Sequence, residues 1–533
     1  MSDRDNSDGL NPPLAGGHLG GNAELGQHQN LPRWYPHLGK RPAYHGNEEA
    51  FAWCIDGIGR AIQFVGAGAF VGVSLIHIAS VNAGCVVEIP EGESRVPVCD
   101  ERIYGIKPSS VLTTYNMVIG VGSTLLLPLL GAIIDYTPHR LLAGRVTSVL
   151  FVLLMIPQLL ISYDTFGLTA ILQILISFMG WAQTAITYAY LPELTADESK
   201  MNDYTKSYTM FFFSAMVIYL AVVIGGINLI GKSGDDIATA RFGISLALLV
   251  NIVCLPIAWG PLFKDRPAMH ELPPGQSIFT AGFVQLYRTS VKIRRNYRAL
   301  MWFFIAIAFS DAGLQGTGTI SITFWTDQLQ FTAQESGIGV LLLLFGSVPG
   351  AVVANRVTRR YDPCTSSRAA LIVLTITTIV YSIVIKDPSQ KLLSYLITMG
   401  WGFGVGWKWT SDRVVTSFII PEGQDAELMG VFLFAGQVLT WIPSFIYIVL
   451  NEAGVSPRYG VASLVFWFLL SYISYVLMGS YDNARIESGR GLVTAGEIDS
   501  TTSKEGTHKK RVELRQHESA TDNMNPLSDP SSL

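Results

Sequence analysis

From Ala50 to Tyr481 the chain alternates between long apolar runs and short polar turns, and the runs are longer than a buried helix of a soluble domain needs. A bilayer core about 30 Å thick calls for roughly 20 apolar residues per helix. The pattern predicts crossings near Phe51 to Ala83, Ser109 to Ile134, Val146 to Ser162, Leu168 to Leu191, Tyr208 to Ile230 and Phe242 to Phe263. Six more follow near Ala299 to Trp325, Ser336 to Ala354, Ala369 to Ile385, Leu392 to Trp409, Leu428 to Leu450 and Tyr459 to Met478. Between the two sets lies a polar, basic segment, Lys264 to Arg298. Within it Ile278, Phe279, Phe283, Leu286, Tyr287 and Val291 recur at helical spacing, so Gln276 to Ile293 is expected to lie on the membrane surface as an amphipathic helix. The expected fold is an all-α membrane protein of twelve transmembrane helices in two six-helix halves, the layout of parallel-repeat secondary transporters. Its parts are a disordered tail (1–49), a first half (50–263), the connector (264–298), a second half (299–480) and a second disordered tail (481–533).

Composition agrees: of 533 residues 49% are hydrophobic and only 15% charged, with positive mean hydropathy. That balance excludes an ordinary soluble domain. No cleavable signal peptide is visible in residues 1–49, so the first crossing is expected to act as its own insertion signal. Lys and Arg crowd the connector and the turns holding Arg140, Arg145, Lys200, Lys206, Arg356, Arg359, Arg360, Arg368 and Arg413. Positive charge accumulates on cytosolic loops, which places these turns, the connector and both termini in the cytosol. Of five cysteines, Cys85 and Cys99 fall in one loop on the opposite side. An oxidising compartment favours a disulfide there, stabilising by about 3 kcal/mol through restriction of the unfolded loop.

The turn after the second crossing joins Gly131, Asp135, His139 and Arg140, and the turn after the eighth repeats the arrangement with Asn355, Arg356 and Arg359. This recurrence resembles the loop motif of the major facilitator superfamily, which implies a latch between helices during a conformational switch. Tyr190-Leu-Pro-Glu193-Leu194 looks like a signature of that superfamily's Atg22/UMF1 branch, the vacuole effluxer-like proteins. The stretch Arg413 to Gly436, with Pro421, Gly423, Glu427 and Gly430, is similar to the branch's segment between crossings ten and eleven. The resemblance spans most of residues 50–480 and implies amino-acid export from a vacuole or lysosome. It departs at the long Ala83 to Pro108 loop and at aromatic-rich Trp401 to Trp409.

Charges inside a membrane are costly, about 2.5 to 3.5 kcal/mol at a helix centre, and so mark cavities. Asp311, deep in crossing seven among small residues and followed by Gln315, is a candidate for binding a substrate amine or a proton, the alternative being a structural Asp bonded to a neighbouring helix. Lys408 is a candidate carboxylate ligand, although snorkelling to the interface explains it more simply. Asp56 and Arg60, one turn apart, together with Glu193, Arg413 and Glu427 at cytosolic helix ends, are candidates for gating. No P-loop, metal cage or other enzyme signature occurs in the sequence, and no cofactor is called for. The expected partners are the bilayer, a small solute and protons, not nucleic acid. The leading expectation is a secondary active transporter in a vacuolar, lysosomal or plasma membrane, working by alternating access. The alternatives are a sugar or metabolite carrier of the same fold, or a transporter-like receptor without transport.

Overall fold

The computed structural model describes residues 47–85, 99, 101–195, 198–268, 271–272, 277–421 and 425–489. Most of both tails and most of the loop between Cys85 and Cys99 lie outside these residues, as do the side chains of Glu193 and Glu427. Helices dominate, and no strand forms among the described residues. The first set is α1 (Glu48–Asn82), α2 (Val111–Tyr136), α3 (Arg140–Gln158), α4 (Phe166–Leu194), α5 (Glu198–Leu229) and α6 (Asp236–Leu262). The connector carries α7 (Ile278–Asn296). The second set is α8 (Arg298–Asp327), α9 (Ala333–Arg360), α10 (Pro363–Val384), α11 (Lys391–Ile419), α12 (Leu428–Glu452) and α13 (Pro457–Met478). Of the twelve helices in the two sets, leaving α7 aside, eleven are long and apolar enough to cross a bilayer. The other, α11, has 29 residues and the length to cross, but its glycines and the charges of Lys408, Asp412 and Arg413 dilute its hydropathy.

Helix ends follow their local chemistry. Asn47 accepts from the Glu49 and Ala50 amides at the start of α1, Thr332 and Glu335 close a capping box on α9, and Asp362 caps α10 with Pro363 in its first turn. The first helix of each set is the most enclosed: 67% of the apolar window of α1 and of α8 is buried, against 33% to 44% for the other crossing helices. In α1 the residues Ala67–Gly72 widen into a π-turn. Side chains added at Gly68 or at Gly337 of α9 would meet Ile322 and Phe70 respectively, so the π-turn sits against α8 and α9.

Among the described residues α9 packs most closely on α11. Gly346 and Gly350 lie against the carbonyls of Met399 and Phe403, while Gly402 and Gly406 lie against those of Leu343 and Ser347. Four glycines at four-residue spacing let two backbones touch, which is how helices associate where no hydrophobic effect drives them together. The connector helix docks in the same manner, with Gly282 pressed on the Pro128 carbonyl of α2. Its Phe279 and Tyr287 remain exposed on the outer side.

Helix directions define two faces. One holds the connector and the α2–α3 turn; the other holds the loop stapled by the Cys85–Cys99 disulfide. On the disulfide face the two helix sets are tied directly. Asp236 of α6 accepts from the Ala333 amide at the start of α9 at 2.7 Å, and Ser233 bonds Gln334. Glu452 of α12 accepts the Lys107 amide and pairs with Arg102 at 2.7 Å, and Asn451 donates to Ser109 and Ser110.

Candidate translocation site

Within the first set Asp56 is fully buried, 0% exposed, yet its carboxylate is saturated. Arg60 Nε donates to it at 2.8 Å, Trp259 Nε1 at 2.8 Å, Gln183 Nε2 at 2.7 Å and Thr187 Oγ1 at 3.1 Å. Trp259 reaches it because Gly144 of α3 leaves room for the indole. Arg60 spends its remaining nitrogens on Thr184 (2.8 Å) and Tyr208 (3.0 Å). Gln183 also donates to Ser148, so one ion pair binds α1, α3, α4, α5 and α6 together.

The second set contains a counterpart that sequence reasoning missed. Lys408 does not snorkel: it is 0% exposed and paired with Asp412, one turn along α11. Tyr475 donates to Asp412 at 2.6 Å and Ser367 at 2.9 Å, while Lys408 reaches Ser310 at 3.3 Å. Helices one, three, four and six take part in both sets, α1, α3, α4 and α6 in one and α8, α10, α11 and α13 in the other, and the first set adds α5 through Tyr208. The carboxylate has moved from the first helix of the set to the fourth. The signal was present in sequence, an acid and a base four apart as in Asp56 and Arg60, but ending the tenth crossing at Trp409 left Asp412 outside it, whereas α11 continues to Ile419.

Asp311 differs from both pairs. It stands about 20 Å along α8 from its start, near the middle of this 30-residue helix, and makes no hydrogen bond or ion pair among the described residues. Its Oδ2 lies 2.8 Å from where a side chain at Gly436 of α12 would begin, so Gly436 is what gives the carboxylate space. Its charged neighbours are Lys408 and Asp412, which are already paired with each other. Gln315 and Thr319, one and two turns further on, are likewise half-buried and lack side-chain partners among the described residues. These three form one polar face about 12 Å long. At a similar distance along α1, the amide of Gln63 also has no described partner.

The two loop motifs are alike in sequence and unlike in structure. In the first, Asp135 accepts from Gln285 of α7 at 3.4 Å, and Arg140, 1% exposed, donates to the Ile134 carbonyl and lies over the Tyr190 ring. Gly131 opens onto a cavity of about 140 Å³ between α2, α4, α7 and α12. In the second, Asn355, Arg356 and Arg359 are exposed, and their side chains make no hydrogen bond or ion pair among the described residues. Arg413 crosses between the sets to Thr209 of α5 at 2.7 Å. Glu49, not singled out in sequence, takes the Lys264 amide and Arg266, fixing the start of the connector to α1.

Two helix sets, each led by an enclosed first helix, place the chain among the major facilitator transporters in fold. A D-xylose-proton symporter aligns with TM-score 0.56 at 10% identity, over 81% of this chain and 97% of that one. A point mutant of the nucleoside transporter NupG aligns at 0.54 and 12%, over 81% and 100%, and a peptide transporter POT in complex with sulfate at 0.52 and 12%, over 83% and 97%. No curated protein sequence matches significantly. The vacuole effluxer Atg22-like family matches residues 52–488, and the chain belongs to that family.

Proposed function

We propose that this protein is a secondary active transporter that carries a small organic solute by alternating access, the helix sets led by α1 and α8 rocking about a passage between them. The observation that carries this reading is the polar face of Asp311, Gln315 and Thr319, which lies near the middle of α8 without partners among the described residues. An ionised carboxylate held at that depth with no bonding partner is costly unless water or solute reaches it. The buried pairs at Asp56 and Lys408 tie helices within each set to one another, which supports a rocking mechanism. Membership of the vacuole effluxer family supports movement of the solute out of a vacuole, and the Lys and Arg crowding the connector support a cytosolic connector and termini; an amino acid as the solute and protons as the coupling ion complete the proposal.

Reconstitution into proteoliposomes with a panel of amino acids and sugars, with and without a pH gradient, tests this. Solute uptake that Asp311→Asn abolishes, in a variant that still purifies as a monodisperse species, is the expected result. Full uptake by that variant, or no uptake of any solute, overturns the reading.

A further inference from the structure

The charges inside the bundle can be accounted for one by one, and the account bears on what the passage recognises. An amino acid offers an ammonium and a carboxylate, and a transporter could hold it by either. At passage depth the bases among the described residues are Arg60 and Lys408. Arg60 is spent on Asp56, Thr184 and Tyr208. Lys408 is spent on Asp412 and Ser310, with the Tyr475 ring beneath its ammonium. Withdrawing either base to bind a solute carboxylate would strand a buried acid, which typically costs more than the new contact returns. Asp311 is the reverse case, an acid with no hydrogen-bonding base among the described residues, its carboxylate fitted against Gly436 of α12, where any larger residue would crowd it. The uncharged groups of the same face, Gln315 and Thr319, and Gln63 at a similar distance along α1, can bond a carboxylate, an amide or an ester with little distinction.

We propose that the passage recognises its solute through a primary ammonium held at Asp311 and places no cation on the solute's carboxylate, so that the ligand class is small amines, amino acids included, rather than carboxylates. This rests on the transport reading above. It goes further by assigning which end of the solute carries the affinity. A charge-assisted hydrogen bond to a buried carboxylate is among the stronger polar contacts, whereas the neutral amides of Gln315 and Gln63 discriminate weakly.

Three probes separate the ends: leucine, leucinamide (ammonium kept, carboxylate removed) and N-acetylleucine (carboxylate kept, ammonium removed). Binding is read by thermal shift of the purified full chain in detergent, and transport by competition against labelled leucine in proteoliposomes. Leucine and leucinamide are expected to bind within about threefold of each other, and N-acetylleucine at least about tenfold more weakly. Asp311→Asn is expected to erase the preference for the amines, and Asp311→Glu to retain it, so wild type and Asp311→Glu decide the matter if the Asn variant fails to fold. Binding of N-acetylleucine equal to that of leucine, or failure of leucinamide to bind, overturns the inference. Amine binding without uptake of any solute instead overturns the transport reading and leaves the ammonium assignment standing.

Discussion

At Asp412 a single truncation would leave Lys408 charged, buried and unpaired. Such a break typically costs about 3 to 5 kcal/mol, while replacing both partners by apolar residues of similar size is often close to neutral. Asp412→Ala is therefore expected to lower the thermal unfolding temperature of the purified protein sharply, and Lys408→Met with Asp412→Leu to recover most of the loss. Equal stability of the single and double variants would show that the pair is solvated and not enclosed. Gly436→Ala should behave differently, because its new methyl group would press on Asp311 Oδ2 in the passage. Transport should fall several-fold with little change in unfolding temperature, and an unchanged rate would remove Gly436 from the site. Asp311 was legible in sequence because an acid in the middle of an apolar run has few structural excuses. Its lack of a partner was not legible, since pairing depends on neighbours far away in the chain. Trp259, which lies 203 residues from Asp56, illustrates the difficulty.

The elements themselves were mostly written in the hydrophobic pattern, because crossing length is fixed by bilayer thickness and not by tertiary context. The exceptions have physical causes. Burial of one face lets α11 carry Trp, Gly and a charged pair, and this diluted the signal that ends a crossing. The π-turn in α1 arises from one extra residue accommodated against α8 and α9, which small residues permit but do not announce. The glycines at 346, 350, 402 and 406 are readable as spacing, but which helix they face is not. Since each lies against a carbonyl of the opposing helix, Gly350→Leu should force α9 from α11 and abolish recovery of monodisperse protein. Recovery at normal yield would mean the pairing is loose. Gly282→Val is a milder test of the same device on α7. It should lift the connector helix from Pro128 and raise amide exchange across Ile278–Asn296 at least about tenfold, with the crossing helices unchanged, and unaltered exchange would deny the docking.

Across the whole molecule the described contacts between helix sets are unevenly spread. The disulfide face has Asp236 on the Ala333 amide, Ser233 on Gln334, Asn451 on two serines and Glu452 on Arg102 and the Lys107 amide. The connector face has Arg413 on Thr209 and the packing of Phe213 on Trp409, beside the cavity roofed by α7. Under the alternating-access reading the ties on the disulfide face hold it shut. Opening it must break the Asp236 bond, a buried hydrogen bond to a carboxylate that contributes about 1.5 to 3 kcal/mol. Since about 1.4 kcal/mol is a factor of ten in an equilibrium, Asp236→Ala should raise the share of molecules open on that face about tenfold or more. The disulfide-stapled loop carries Arg102 and ends in Lys107, so Glu452→Ala acts on the same equilibrium from the other set, and the double variant should exceed either alone. Spin labels at Tyr104 and Ala453, exposed positions in the two sets on this face, report the change as growth of a longer-distance population. Identical distance distributions in wild type and Asp236→Ala would mean that these bonds decorate a closure maintained elsewhere.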